Sequence, residues 1–111
     1  MGAHERAFQP SEYDRFLLLI LEQGNTLSIL IDEYARATGV AFAMLKNKIY
    51  YLLSNLEPLH KTLAEYLSED LSHIILHHFD SLLHKLDEPK ALKTAHKAYY
   101  THLESLTGGN T

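Results

Sequence analysis

Residues 68–89 read SEDLSHIILHHFDSLLHKLDEP. Ser68 is a helix-capping residue, and Glu69 and Asp70 set negative charge at the positive end of the helix dipole. Leu71, Ile75, Phe79, Leu82 and Leu86 then recur every three or four residues as one apolar stripe. Asp87, Glu88 and Pro89 stop this helix and open the next, because proline is tolerated in the first turn of a helix but not in its interior. A chain built of such segments can bury its stripes only by packing helix on helix.

The pattern extends in both directions. Leu92, Ala95, Tyr99, Leu103 and Leu106 mark a last helix, which Gly108 and Gly109 end. Upstream, Phe42, Leu45, Ile49, Leu52 and Leu56 have the spacing of a packed seam, and Leu59, Leu63, Tyr66 and Leu67 continue it beyond Pro58. Leu27, Leu30, Ile31 and Tyr34 form another stripe, after which Gly39 either ends a helix or lies inside a longer one at about 1 kcal/mol relative to alanine. Gly24 and Asn25 tolerate a left-handed backbone and Thr26 can cap, so a tight corner is predicted there. Pro10, Ser11 and Asp14 open a first helix over 11–23, whose run Phe16 to Leu21 is apolar all round and predicts a central position or a subunit interface. No segment alternates with period two, and no repeat of fixed period occurs. The expected fold is an all-α antiparallel bundle of five to six helices over 11–107, with an N-terminal extension at 1–10 and a flexible tail at 108–111.

At 111 residues and 46% apolar content the chain suits one domain with one core. A net charge of -4 offers nucleic acid no basic patch. The absence of cysteine excludes disulfides, thiolate zinc sites and cysteine nucleophiles. The most apolar run falls far short of the roughly 20 residues of a membrane span. Gly2, His4, Glu5 and Arg6 lack the apolar core of a secretory signal, so a cytoplasmic protein with no membrane partner is expected.

Eight histidines invite sorting by helix face. His73, His77 and His84, with Asp80, fall opposite the apolar stripe of their helix, where the i, i+4 pair His73 and His77 can share a surface metal. A solvated polar ridge that binds zinc or nickel only adventitiously is the other reading. His78 lies within about 20° of Leu71 on the helical wheel and points inward. His102 stands near Ala95 and Tyr99, and His96 near Leu92 and Leu103. A buried neutral histidine commonly just hydrogen-bonds a carbonyl or water, whereas inward histidines on adjacent helices can form a ligand or metal site inside a bundle. Tyr50, Tyr51, Tyr99 and Tyr100 can line a pocket or simply pack. There is no phosphate loop, HExxH motif, nucleophile elbow or convergent carboxylate set, so no enzyme is expected.

The order of these features resembles the C-terminal effector-binding (FCD) domain of GntR-type transcription regulators. The matching pieces are Phe16 to Leu21 followed by Gly24, Asn25, Thr26 and Leu27, then His78 with Ser81, Leu82 and Leu83, then Ala95, Tyr99, His102 and Leu103. The resemblance implies a helical bundle that senses a metabolite carboxylate beside a divalent metal held by one aspartate and three histidines, of which His78 and His102 would be two. The family's aspartate and histidine one turn apart have no counterpart here, since Glu12, Tyr13 and Asp14 stand before Phe16, Leu17 and Leu18. The winged-helix DNA-binding part has no counterpart either.

The expected function is therefore a small-molecule or metal-sensing helical domain linked to transcription regulation. Its ligand-binding residues are Tyr99, His78 and His102, with His78 and His102 as an interior metal pair and His73 and His77 as a surface pair for zinc or nickel. A homodimer is the expected assembly. The alternative is a helical protein-protein interaction module, an adaptor or anti-regulator, with no ligand and with its apolar first helix buried against a partner.

Overall fold

A computed structural model describes residues 12–108, and every element in it is an α-helix. α1 spans Glu12–Arg36, α2 Gly39–Glu65, α3 Glu69–His84 and α4 Pro89–Gly108. The expected extension at 1–10, the Ser11 cap and the end of the tail at 109–111 lie outside the described residues. Short connections at 37–38, 66–68 and 85–88 reverse the chain each time. Each helix packs against two neighbours, α1 and α3 both lying between α2 and α4, and Cα atoms of diagonal helices do not come within 8 Å. No helix among the described residues is long and apolar enough to cross a membrane.

Four helices replace the expected five to six, and the predicted corner at Gly24 and Asn25 is absent. α1 runs straight through Gly24 and Asn25, and Thr26 donates its hydroxyl to the Glu22 carbonyl one turn back, 3.2 Å away, instead of capping a new helix. Gly24 is buried, and a Cβ there would sit 3.0 Å from the Tyr100 ring, so this glycine permits the close approach of α4 and makes no corner. α2 likewise continues through Pro58, which is exposed on its outer face. The buried residues Leu53, Leu56, His60 and Leu63 keep one phase across the proline, so both halves pack on the same core. That shared burial outweighs a penalty of about 3 kcal/mol for an interior proline. Gly39 proves to be a boundary: α1 ends at Arg36, and Gly39 starts α2 with φ +59, a left-handed conformation natural to glycine.

The apolar run in α1 is not surrounded by other helices. Leu17 and Ile20 are buried, while Leu18 and Leu19 face solvent, because α1 occupies one corner of a four-membered ring of helices. α3 begins as its sequence demands, with the Ser68 hydroxyl accepting the Leu71 amide at 3.3 Å. Two further side chains satisfy carbonyls at helix ends: Ser72 donates to Ala64 at 2.6 Å, and Tyr34 donates to Leu86 at 2.7 Å. Ile75, Phe79 and Leu82 of α3 meet Leu92, Tyr99, Leu103 and Leu106 of α4 in one hydrophobic core.

Candidate functional site

The centre of that core holds a polar pair. His60 of α2 is fully buried in phase with Leu56 and Leu63, and its Nδ1 lies 2.8 Å from the Leu56 carbonyl. A carbonyl can only accept, so Nδ1 carries the proton and Nε2 of the neutral ring is an acceptor. Tyr99 of α4 donates its hydroxyl to that Nε2 at 2.6 Å. Phe79 of α3 stacks on the imidazole, with ring centres 4.2 Å apart. Burial pushes His60 down to about 4 and raises Tyr99, so both partners are neutral at physiological pH. Tyr99 is thus a core residue with its hydroxyl engaged.

His96 sits at the α1–α4 seam and donates Nε2–H to the Gly24 carbonyl at 2.9 Å. The Tyr100 ring stacks on it at 5.8 Å. Burial lowers its pKa, against the opposing influence of the Gly24 carbonyl and Asp32. Beside it lies a half-open cleft of about 430 Å3, bordered by Asn25, Ser28, Lys93 and Lys97, where Lys93 pairs with Asp32 at 3.1 Å.

His78 of α3 and His102 of α4 come together as neighbouring half-buried rings whose centres are 5.4 Å apart. Burial, then the neighbouring His102 and His77, lowers the pKa of His78; burial alone lowers that of His102. Both are therefore neutral imidazoles near pH 7, the protonation state a metal ligand requires. His102 Nε2 is shielded from solvent and has no hydrogen-bond partner among the described residues. A polar atom left in that state costs about 1–3 kcal/mol and calls for an explanation.

His73 and His77 are exposed along a half-open groove between α2 and α3 of about 400 Å3, which Lys61, Glu57 and Asp80 also border. His73 lies 3.9 Å from Glu69, and His84 lies 3.3 Å from Asp80. Among the described residues no group of three or more histidine, aspartate or glutamate side chains has the placement to hold a metal.

His60 is the residue that sequence reasoning misses. The signal is present, since His60 lies four residues after Leu56 and three before Leu63, but following only the apolar residues from Leu56 to Leu59 and Leu63 passes over the histidine between them. Comparison of the chain with protein-family models, with curated proteins and with solved structures finds no match.

Proposed function

We propose that this four-helix bundle is a sensor-type binding domain whose site is the His78–His102 pair. The observation that carries the reading is the buried, unpartnered Nε2 of His102, in a ring whose centre lies 5.4 Å from that of the neutral His78 imidazole on the adjacent helix. With Zn–N bonds of about 2.0–2.1 Å and tetrahedral angles, two imidazoles on one zinc have centres about 5 Å apart, close to the observed spacing. Two protein ligands leave coordination positions free for water or the carboxylate of a small metabolite, which suits a reversible sensor better than a structural metal site. This is also the chemistry that the resemblance to FCD domains implies. A role in transcription regulation would then run through a separate DNA-contacting part, because the net charge of -4 does not favour nucleic acid. A cysteine-free chain suits a reducing cytoplasm.

The test is the zinc- or nickel-dependent rise in thermal stability of three proteins: the parent, His78→Ala with His102→Ala, and His73→Ala with His77→Ala. Metal at 100-fold above Kd stabilises the folded state by about 2.7 kcal/mol. That increment should vanish in the first double variant and persist in the second. Loss only in the second moves the site to the surface ridge, and no increment in the parent defeats the metal reading.

A further inference from the structure

The cleft between α1 and α4 lies apart from the imidazole pair, which sits between α3 and α4. Its volume of about 430 Å3 is in the range of small-molecule sites. His96, only 6% exposed, lines it together with the buried Ile31 and the Tyr100 ring. His96 donates Nε2–H to the Gly24 carbonyl, so Nδ1 of the neutral ring is an acceptor. Nδ1 has no hydrogen-bond partner among the described residues, and it is not sealed from solvent as His102 Nε2 is. A ring that is otherwise buried therefore presents its one unused nitrogen to the cleft it borders.

Charges of both signs surround that acceptor. Burial lowers the pKa of His96, and the Gly24 carbonyl and then the Asp32 carboxylate oppose it, which places Asp32 beside the ring. Asp32 is paired with Lys93 at 3.1 Å. Lys97 and Glu104 also border the cleft, and neither forms an ion pair among the described residues. Burial and then the Glu104 carboxylate raise the Tyr100 hydroxyl, so Glu104 stands next to that ring. The cleft thus holds three unsatisfied groups: an imidazole acceptor, a cation and an anion.

We propose that this cleft binds a free basic α-amino acid of the lysine type. The α-ammonium donates to His96 Nδ1 beside Asp32, the α-carboxylate meets Lys97, the aliphatic stem crosses the Tyr100 ring, and the terminal cation meets Glu104. The chemistry excludes simpler occupants. A plain carboxylate would set its charge toward Glu104 and offer Nδ1 no donor, and a plain amine would leave Lys97 without a partner. Lys97 and Glu104 are seven residues apart on α4, about 10 Å along its axis, with Tyr100 between them. That separation calls for a ligand whose two ends are held apart by a stem, and the flexible side chains of Lys97 and Glu104 close the remaining distance. The inference goes beyond the imidazole-pair reading and shares no residue with it.

The test is calorimetric titration of the full chain, with a chelator present, using L-lysine, L-norleucine and 6-aminohexanoate. Norleucine keeps the stem and lacks the terminal amine; 6-aminohexanoate lacks the α-ammonium. Lysine should bind, and each of the other two should bind about tenfold more weakly or worse, as expected for one lost charged contact. Lys97→Gln should weaken lysine binding about tenfold, and Glu104→Gln should erase the preference for lysine over norleucine. Both side chains are exposed, so the circular dichroism of the two variants should match the parent. In nitrogen-15 spectra of the histidine rings, lysine should shift Nδ1 of His96 and leave His78 and His102 unmoved, a readout that needs no change at the buried residue. Absence of lysine binding up to tens of millimolar refutes the proposal. Equal affinity for lysine and norleucine, binding indifferent to both variants, or an unshifted His96 also overturns it.

Discussion

His60 and Tyr99 join diagonally opposite helices through the middle of the bundle, the tyrosine hydroxyl donating to Nε2 at 2.6 Å although no two Cα atoms of these helices come within 8 Å. The Leu56 carbonyl holds the ring proton on Nδ1, which leaves Nε2 to accept from the tyrosine, and both side chains are buried. It also selects one rotational setting of α2 against α4, because a slip of one residue on either helix leaves both polar groups buried without a partner.

Tyr99→Phe keeps the ring and strands His60 Nε2. The expected loss is about 1–3 kcal/mol, read as a lower urea midpoint with an unchanged slope. His60→Leu with Tyr99→Phe should lose less than the sum of the two single changes, since no polar group is then stranded. Strict additivity would show that the hydrogen bond contributes nothing.

Stability should fall in mild acid. The unfolded chain takes up a proton on this histidine below about 6.5, while burial delays uptake in the folded protein to about 4. Across that window the unfolded state binds more protons, so stability drops as pH falls, by an amount on the order of 3 kcal/mol, and the slope from this group ends once both states are protonated. His96, also lowered by burial, acts in the same direction. The comparison that isolates His60 is the pH dependence of the urea midpoint in the parent and in His60→Leu, and the variant should be the flatter of the two.

Gly24→Ala distinguishes a helix interior from a corner. In an open helix alanine gains about 1 kcal/mol over glycine. Here the new methyl would meet a Tyr100 ring held against His96, which is itself bonded to the Gly24 carbonyl. Net destabilisation is expected in the parent, and net stabilisation by the same change in a Tyr100→Ala background. Equal effects in the two backgrounds would remove the tyrosine from the explanation.

Gly39→Ala should also destabilise, for a different reason. No atom lies within 4 Å of its new Cβ, so the penalty is the left-handed backbone alone, roughly 1–2 kcal/mol. Gly39→Asn should recover part of it, because asparagine tolerates that conformation, and thermal denaturation of the two variants decides the point.

Local chemistry alone made much of this molecule readable. The Ser68 cap, the stop at Asp87 to Pro89, and the apolar phases of α3 and α4 depend on residues within a turn or two of one another, so they stand in the linear order. The inward turn of His78 and the outward turn of His73 and His77 follow from the same helical period. Three matters could be decided only by the tertiary structure. Whether Gly24 turns or packs depends on Tyr100, which lies 76 residues away in the chain. Whether Pro58 breaks a helix depends on a core that rewards both sides of it with burial. Whether a buried histidine is a candidate ligand or a satisfied core group depends on what another helix sets opposite it: Tyr99 completes His60, while His102 is left with a nitrogen that nothing among the described residues fills. Periodicity shows which way a side chain points, but the partner it meets is set by the register between helices, and that register is a property of the packed bundle.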